Sequence, residues 1–176
     1  MDKRITFIFT CLTMVLSIAG CSKPAAEFTE LRYFPIDNME GIMTQSNVQI
    51  DSQISSDGNG SLRITATAPA TVQLFQAGDI DIENATVIYQ ARARTEDVQG
   101  KVYLEMWCSF PGLGEYFSRG LDSALSGTND WTTIMTPFFL KKGENPDNVK
   151  LNLVIEGTGT VWIDDIKLLK SPLKLK

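Results

Sequence analysis

The 176-residue sequence contains no histidine. This absence removes the commonest general base and the commonest zinc ligand, so neither a Ser-His-Asp triad nor a Cys-His pair can be assembled. Cysteine is scarce, with three residues, and the formal net charge is −5 without any cluster of basic residues. Such a composition argues against nucleic-acid binding. Enzymes that use only carboxylates remain possible.

The first residues have the layout of a secretory signal. The charged start Met1-Asp2-Lys3-Arg4 precedes an apolar run from Ile5 to Leu16, and small residues follow before Cys21. The run is shorter than the about 20 apolar residues that span a bilayer. Ile18-Ala19-Gly20-Cys21 resembles the lipobox of bacterial lipoproteins, in which the signal is cut before an acylated cysteine. An ordinary signal peptide or an uncleaved anchor is the alternative.

The lipobox resemblance implies that Cys21 is the lipidated first residue of a mature protein held in the cell envelope. Ser22 implies sorting to the outer membrane rather than the inner one. If Cys21 carries lipid, Cys108 has no partner for a disulfide and is interpreted as a small buried hydrophobic residue. We therefore expect four segments. They are a signal peptide (1–20), a lipidated tether (21–29), a β-sandwich domain (30–170) and a C-terminal tail (171–176).

Short alternating runs, punctuated by Gly, Asn, Asp and Pro, dominate the chain after residue 28. About nine strands at this spacing are typical of an all-β sandwich or barrel. One long irregular segment, Ser109–Asp130, is interpreted as a packed loop over one edge of the sandwich. The predicted strands are Leu31–Phe34, Val48–Ile54, Leu62–Ala68, Thr71–Phe75, Thr86–Ala93, Val102–Cys108, Trp131–Phe139, Val149–Glu156 and Val161–Leu169.

The two-residue period of a strand separates a core face from an outer face. The outer faces of three predicted strands carry Arg92, Glu105 with Trp107, and Asn152, which form one patch if the strands are neighbours. An aromatic ring beside planar polar groups suits a sugar, because the ring stacks on C–H faces while the polar groups meet hydroxyls. The alternative is an ordinary solvated face on which the 109–130 loop covers Trp107.

The closing stretch Val161–Leu168 places a carboxylate among apolar residues. With period two, Asp164 shares its face with Trp162, Ile166 and Leu168. A carboxylate in such surroundings must be hydrogen-bonded, paired or bound to a metal. A hard cation such as calcium accepts carboxylates and backbone carbonyls as ligands.

The segment from Gly157 to Ile166 resembles the end of galactose-binding-like jelly rolls, among them carbohydrate-binding modules attached to xylanases and glucanases. Ile36-Asp37-Asn38-Met39-Glu40 resembles the opening motif of that family, and the segment from Ser56 to Arg63 resembles the turn and strand that follow. The resemblance implies an all-β, two-sheet antiparallel jelly-roll sandwich. It also implies a possible structural calcium, with Glu40, the turn from Asp57 to Ser61, and Asp164 as ligands. The alternative is that Asp164 accepts hydrogen bonds from backbone N–H groups of the N-terminal segment.

These observations allow three classes of function. The one we expect is a membrane-anchored binding module that is not an enzyme, with a glycan as the possible ligand. The second is a structural or assembly lipoprotein that binds a protein partner through the 109–130 loop. Exposed rings at Tyr116 and Phe117 would mark such an interface, whereas buried rings would cap the sandwich. The third is a carboxylate-pair glycosidase. Its candidate carboxylates are Glu105, Glu115, Asp122 and Glu156.

Overall fold

The computed structural model describes residues 28–173, which form an almost entirely β structure. The predicted signal peptide and Cys21 lie outside these residues. No helix within residues 28–173 is long and apolar enough to cross a membrane. The strands are β1 (Thr29–Phe34), β2 (Val48–Asp51), β3 (Ser61–Ala66), β4 (Ala70–Gly78), β5 (Ala85–Phe110), β6 (Gly114–Arg119), β7 (Leu125–Leu140), β8 (Asn148–Ile155) and β9 (Thr158–Pro172).

The long strand β5 links two layers of one curled antiparallel sheet. Its first part, 85–99, pairs with β7 and β9, while its second part, 102–110, pairs with β6 and β8, apart from Val102, which also pairs with Leu125 of β7. Strands β1 and β3 also pair with β9, β2 pairs with β3, and β4 pairs with β8. Asp97 (φ 52°) and Gly100 (φ 108°) supply the left-handed backbone where β5 turns from one layer to the other. The predicted all-β antiparallel sandwich is confirmed.

The core lies between the two layers and follows the period-two pattern. Cys108 is completely buried in it, and burial raises the pKa of its thiol to about 12. The interpretation of Cys108 as a buried hydrophobic residue is therefore confirmed. The core members from β3, β5, β8 and β9 include Leu62, Ile64, Val87, Tyr89, Val102, Leu104, Met106, Leu151, Leu153, Val161, Ile163, Ile166 and Leu168.

A bulge in β9 corrects the predicted face of Asp164. Asp165 has a positive φ of 53°, and the register between β5 and β9 shifts beside it. Val161, Ile163, Ile166 and Leu168 consequently all belong to the core cluster, whereas Trp162 does not. Trp162 and Asp164 alternate with the core residues before the bulge, so they face outward.

Trp162 is only 3% exposed although it faces outward. The guanidinium groups of Arg63 and Arg94 lie 5.6 and 5.5 Å from its ring centroid. Its indole N–H donates to Asp51 at 2.9 Å. Flanking arginines thus cover this ring in place of a second layer.

The interpretation of Ser109–Asp130 as a packed loop is wrong. Most of the segment continues the sheet: β6 pairs with the end of β5, a short 3₁₀ helix covers Leu121–Ser123, and β7 already begins at Leu125. The two predicted strands Thr86–Ala93 and Val102–Cys108 are parts of the single strand β5. Strand β9 also reaches Pro172, two residues into the predicted C-terminal tail.

Candidate functional site

Strands β6, β5 and β8 lie side by side and bring five side chains together on the outer face of the second layer. Trp107 is directly opposite Phe117, and Glu105 is directly opposite both Arg119 and Asn152. Residues on either side of Glu105 and Trp107 along β5 point into the core, which fixes these side chains on the outside. We call the set Glu105, Trp107, Phe117, Arg119 and Asn152 the Trp107 face.

Glu105 is the hub of the Trp107 face. It is 5% exposed, and its carboxylate accepts hydrogen bonds from Trp107 Nε1 at 2.7 Å, Arg119 Nε at 2.7 Å and Asn152 Nδ2 at 3.3 Å. Burial alone would raise the pKa of Glu105, but these three donors outweigh burial and hold its pKa below the ordinary value. Glu105 is therefore a buried anion that fixes the side chains around it.

The groups around Glu105 present unused binding capacity. The Trp107 and Phe117 rings lie 4.9 Å apart at 41°, and the Arg119 guanidinium lies 4.8 Å from the Phe117 centroid. The Arg119 side chain is 45% exposed and uses its Nε for Glu105. Asn152 Oδ1 is buried and has no hydrogen-bond partner among the described residues. Such an acceptor is satisfied by a donor from solvent or from a ligand.

Three of the four predicted ligand-binding residues come together, and Arg92 does not join them. Arg92 lies on the first part of β5, where its guanidinium donates to the Trp131 carbonyl at 2.8 Å and contacts Thr133 Oγ1 at 3.4 Å. That part of β5 pairs with β7 and β9, not with the strands of the Trp107 face.

Arg119 takes the place on the Trp107 face that was predicted for Arg92. Arg119 and Phe117 are not among the predicted members, because their segment was expected to be a loop rather than a strand. The signal that could have found them is the alternation of Glu115, Phe117 and Arg119 directly after a turn rich in Gly and Pro.

The predicted calcium ligands have other partners in the structure. Asp164 is 2% exposed; its Oδ2 accepts from the backbone N–H and the hydroxyl of Ser56, both at 2.8 Å, and its Oδ1 accepts from the Asp165 N–H. Asp57 accepts hydrogen bonds from Asn59, while Ser61 donates to the Ile54 carbonyl. The two Ser56 donors use both lone pairs of Asp164 Oδ2, so this oxygen does not fit a cation ligand here.

Glu40 is exposed and lines a cleft with Phe34 and Phe75. No group of three acidic or cysteine side chains in residues 28–173 could hold a metal ion. The structure thus favours the hydrogen-bonding alternative for Asp164, with its partner in the Ser56 turn. Calcium stays a prediction from the sequence resemblance.

A second feature is an apolar groove beside β6, about 380 Å³ in volume. Tyr116 and Phe117 are 53% and 50% exposed, so they do not cap the sandwich. Exposure of these rings is what the interface interpretation requires, and binding through them stays a prediction. The groove is lined by Phe110, Leu113, Tyr116, Phe117, Phe138, Phe139, Lys141 and Glu144.

The carboxylates considered for a glycosidase have structural partners or lie apart on the surface. Glu115 pairs with Lys150 at 2.7 Å, Glu156 accepts from the Tyr103 hydroxyl at 3.0 Å, and Asp122 is exposed in the 3₁₀ helix. A glycosidase acid requires a raised pKa. The lowered pKa of Glu105 is the opposite of that requirement.

The fold is that of known carbohydrate-binding modules. The chain is similar to the CBM22-1 xylan-binding domain of Paenibacillus barcinonensis Xyn10C, with a TM-score of 0.59 and 12% identity over 87% of this chain and 100% of that one. It is also similar to the CBM22-1-GH10 modules of Clostridium thermocellum xylanase 10B complexed with xylohexaose. There the TM-score is 0.59 with 11% identity over 84% of this chain and 29% of the other, so this chain spans less than a third of that protein.

A family 16 carbohydrate-binding module aligns with a TM-score of 0.55 and 14% identity over 76% of this chain and 93% of that one. Comparison with the models of protein families gave no match, and neither did comparison with curated proteins. At these low identities the likeness defines the class of fold, a carbohydrate-binding-module β-sandwich, and nothing narrower.

Proposed function

We propose that this protein is a non-catalytic, lipid-anchored cell-envelope protein whose sandwich binds a glycan on the Trp107 face. The observation that carries the proposal is the immobilised indole of Trp107, held at 2.7 Å by a buried carboxylate between Arg119 and Asn152. A preorganised ring beside planar polar groups loses little conformational entropy when a sugar binds.

Each group on the Trp107 face has a distinct task in this proposal. Trp107 and Phe117 offer ring surface to the apolar C–H face of a pyranose. The terminal nitrogens of Arg119 donate to hydroxyls, while the amide of Asn152 donates to Glu105 and holds its carboxylate in place. Glu105 keeps its carboxylate turned to its three donors, so it positions the binding groups without contacting the sugar.

The structural neighbours support a glycan as the ligand class. Two of them are described as xylan-binding or complexed with xylohexaose. Their identity to this chain is 11% and 12%, so they support the choice of a polysaccharide without naming which one.

The anchor in this proposal is the acylated Cys21, and Ser22 supports the outer membrane as its destination. Several acyl chains on one residue give essentially permanent attachment, because each buried methylene contributes about 0.8 kcal/mol. Incorporation of radiolabelled palmitate that is lost in Cys21→Ser tests this part. A freely soluble, unmodified chain with its initiator Met1 would disprove it.

Glycan-array binding followed by calorimetry tests the glycan site. Trp107→Ala is expected to weaken binding at least roughly tenfold, or about 1.4 kcal/mol, while Trp107→Phe keeps part of the affinity. Trp131→Ala removes a partly exposed indole from the other layer and serves as the matched control. Thermal melting of each variant separates lost binding from lost folding. Glycan binding that survives Trp107→Ala unchanged in a folded protein would refute the site.

A further inference from the structure

The described chain starts at the same end of the sandwich as the apolar groove. Thr29 lines a cleft together with Asn84 and Ala85. The Asn84 N–H donates to the Lys141 carbonyl at 3.2 Å, and Lys141 is one wall of the groove that contains Tyr116. The N-terminal segment therefore leaves the domain next to the groove.

This end of the molecule carries a concentration of exposed large apolar side chains. Phe28 is 55% exposed, Leu113 64%, Tyr116 53% and Phe139 53%. We call these four residues the apolar end. Lys141 and Lys142 are also exposed there, on the segment that follows β7. Exposed aromatic and apolar groups gathered in one region of a surface mark an interaction site.

We propose that the apolar end rests on the lipid bilayer that holds the Cys21 anchor, with Leu113, Tyr116 and Phe139 in the interfacial region. This inference rests on the anchoring part of the proposed function. Eight residue steps separate Cys21 from Thr29, so the tether reaches at most about 30 Å when fully extended. The apolar end is thus the part of the domain that the anchor brings to the membrane first.

The chemistry of the apolar end suits a membrane interface. Tyrosine rings prefer the headgroup region, phenylalanine and leucine side chains insert at its boundary with the acyl chains, and lysine side chains extend towards the phosphates. Lys141 and Lys142 lie beside two carboxylates, since Glu144 accepts from the Lys141 N–H and Glu83 accepts from the Gly143 N–H. Glu115, next to Tyr116, pairs with Lys150 at 2.7 Å, so the charges of these groups largely cancel. Ring insertion rather than net charge is therefore the main attraction, and the contact should persist in high salt.

Fluorophores on introduced thiols test the contact in the full lipidated protein. Leu113→Cys places a dye at the apolar end. Thr67→Cys is the matched control, because exposed Thr67 precedes β4 at the opposite end, where Ala70 pairs with Ile155. Cys108 is buried and does not compete for the dye. Both proteins are reconstituted in phosphatidylcholine and phosphatidylglycerol vesicles with nitroxide-labelled lipids, and flotation is measured first.

We expect severalfold stronger quenching at position 113 than at position 67, and a marked loss of that quenching when Tyr116→Ser and Phe139→Ser are added. Protein that floats with equal, weak quenching at both positions overturns the membrane contact and leaves the anchor intact. Protein that fails to float overturns the anchor and the contact with it. A dye at position 113 that becomes shielded without lipid, in proportion to protein concentration, assigns the surface to a second copy and also overturns the proposal.

Discussion

Glu105→Gln is the sharpest test of how the Trp107 face is built. The substitution keeps the size of the side chain and one acceptor oxygen, so Trp107 and Asn152 can still donate to it. It replaces the other oxygen by an NH₂ group, which faces the Nε–H of Arg119 donor to donor. The binding groups then lose their common anion, while the backbone of β5 stays unchanged.

The expected cost follows from the three hydrogen bonds. A hydrogen bond to a charged group contributes about 1.5–3 kcal/mol when buried, and breaking one leaves its partner unsatisfied. The Arg119 side chain is 45% exposed, so solvent screening reduces its share to the low end of that range. We expect Glu105→Gln to lower the free energy of unfolding by about 2 kcal/mol, which lowers Tm by roughly 4–8 °C in a domain of this size.

The pH dependence of the stability difference between wild type and Glu105→Gln is a second test. The pKa of Glu105 is lowered in the folded state, so its stabilising effect is complete above the unfolded carboxyl pKa and disappears as pH falls through the folded value. The Tm difference between wild type and Glu105→Gln should be largest near neutral pH and vanish in strong acid. Glu115→Gln, an exposed carboxylate on β6, is the control and should change Tm little. Equal melting of wild type and Glu105→Gln at neutral pH would refute the role of Glu105 as the hub.

Two further predictions concern groups outside the Trp107 face. Asp164→Ala removes the acceptor of three hydrogen bonds, two of them from Ser56. It should lower the free energy of unfolding by about 2–4 kcal/mol, measured by thermal or denaturant unfolding. A calcium-dependent rise in the wild-type Tm that is absent from this variant would instead identify Asp164 as a metal ligand. Tyr89 is fully buried, and its hydroxyl has no hydrogen-bond partner in the described part of the chain, so Tyr89→Phe should leave Tm unchanged or raised. A clear loss of stability in Tyr89→Phe would show that the hydroxyl is satisfied after all.

The fold was predictable because period-two burial is a local property of the sequence. Val102, Leu104 and Met106 alternate with Tyr103 and Glu105, and the structure places all three in the core. Whether two neighbouring runs form one strand or two was harder to predict. Nothing local separates two strands with a turn from one strand that crosses between layers, and residues 94–101 continue β5 through that crossing.

The parts that could not be predicted depend on register and pairing across the sheet. The bulge at Asp165 changes the faces of the residues that follow it, because one extra residue reverses a period of two. Arg92 and Glu105 both belong to outer faces, as expected. They sit on different layers because the first and second parts of β5 have different partner strands. Neighbouring strands decide which outer residues meet, and one sequence without relatives does not contain that pairing.

The two proposed surfaces adjoin at the groove, where Phe117 is a lining residue, but their other members differ, which makes them separable by experiment. Strand β8 runs from Asn148, paired with Ser109 near the groove, to Ile155, paired with Val102 at the other end. The Trp107 face therefore extends along the side of the sandwich, whereas the apolar end lies at one extremity. A domain standing on its apolar end would hold the Trp107 face away from the bilayer and open to polysaccharide. Trp107→Ala should accordingly reduce glycan binding without changing quenching at position 113. Substitution of Tyr116 and Phe139 should do the reverse, and a variant pair that changed both readouts together would show that the two surfaces are one.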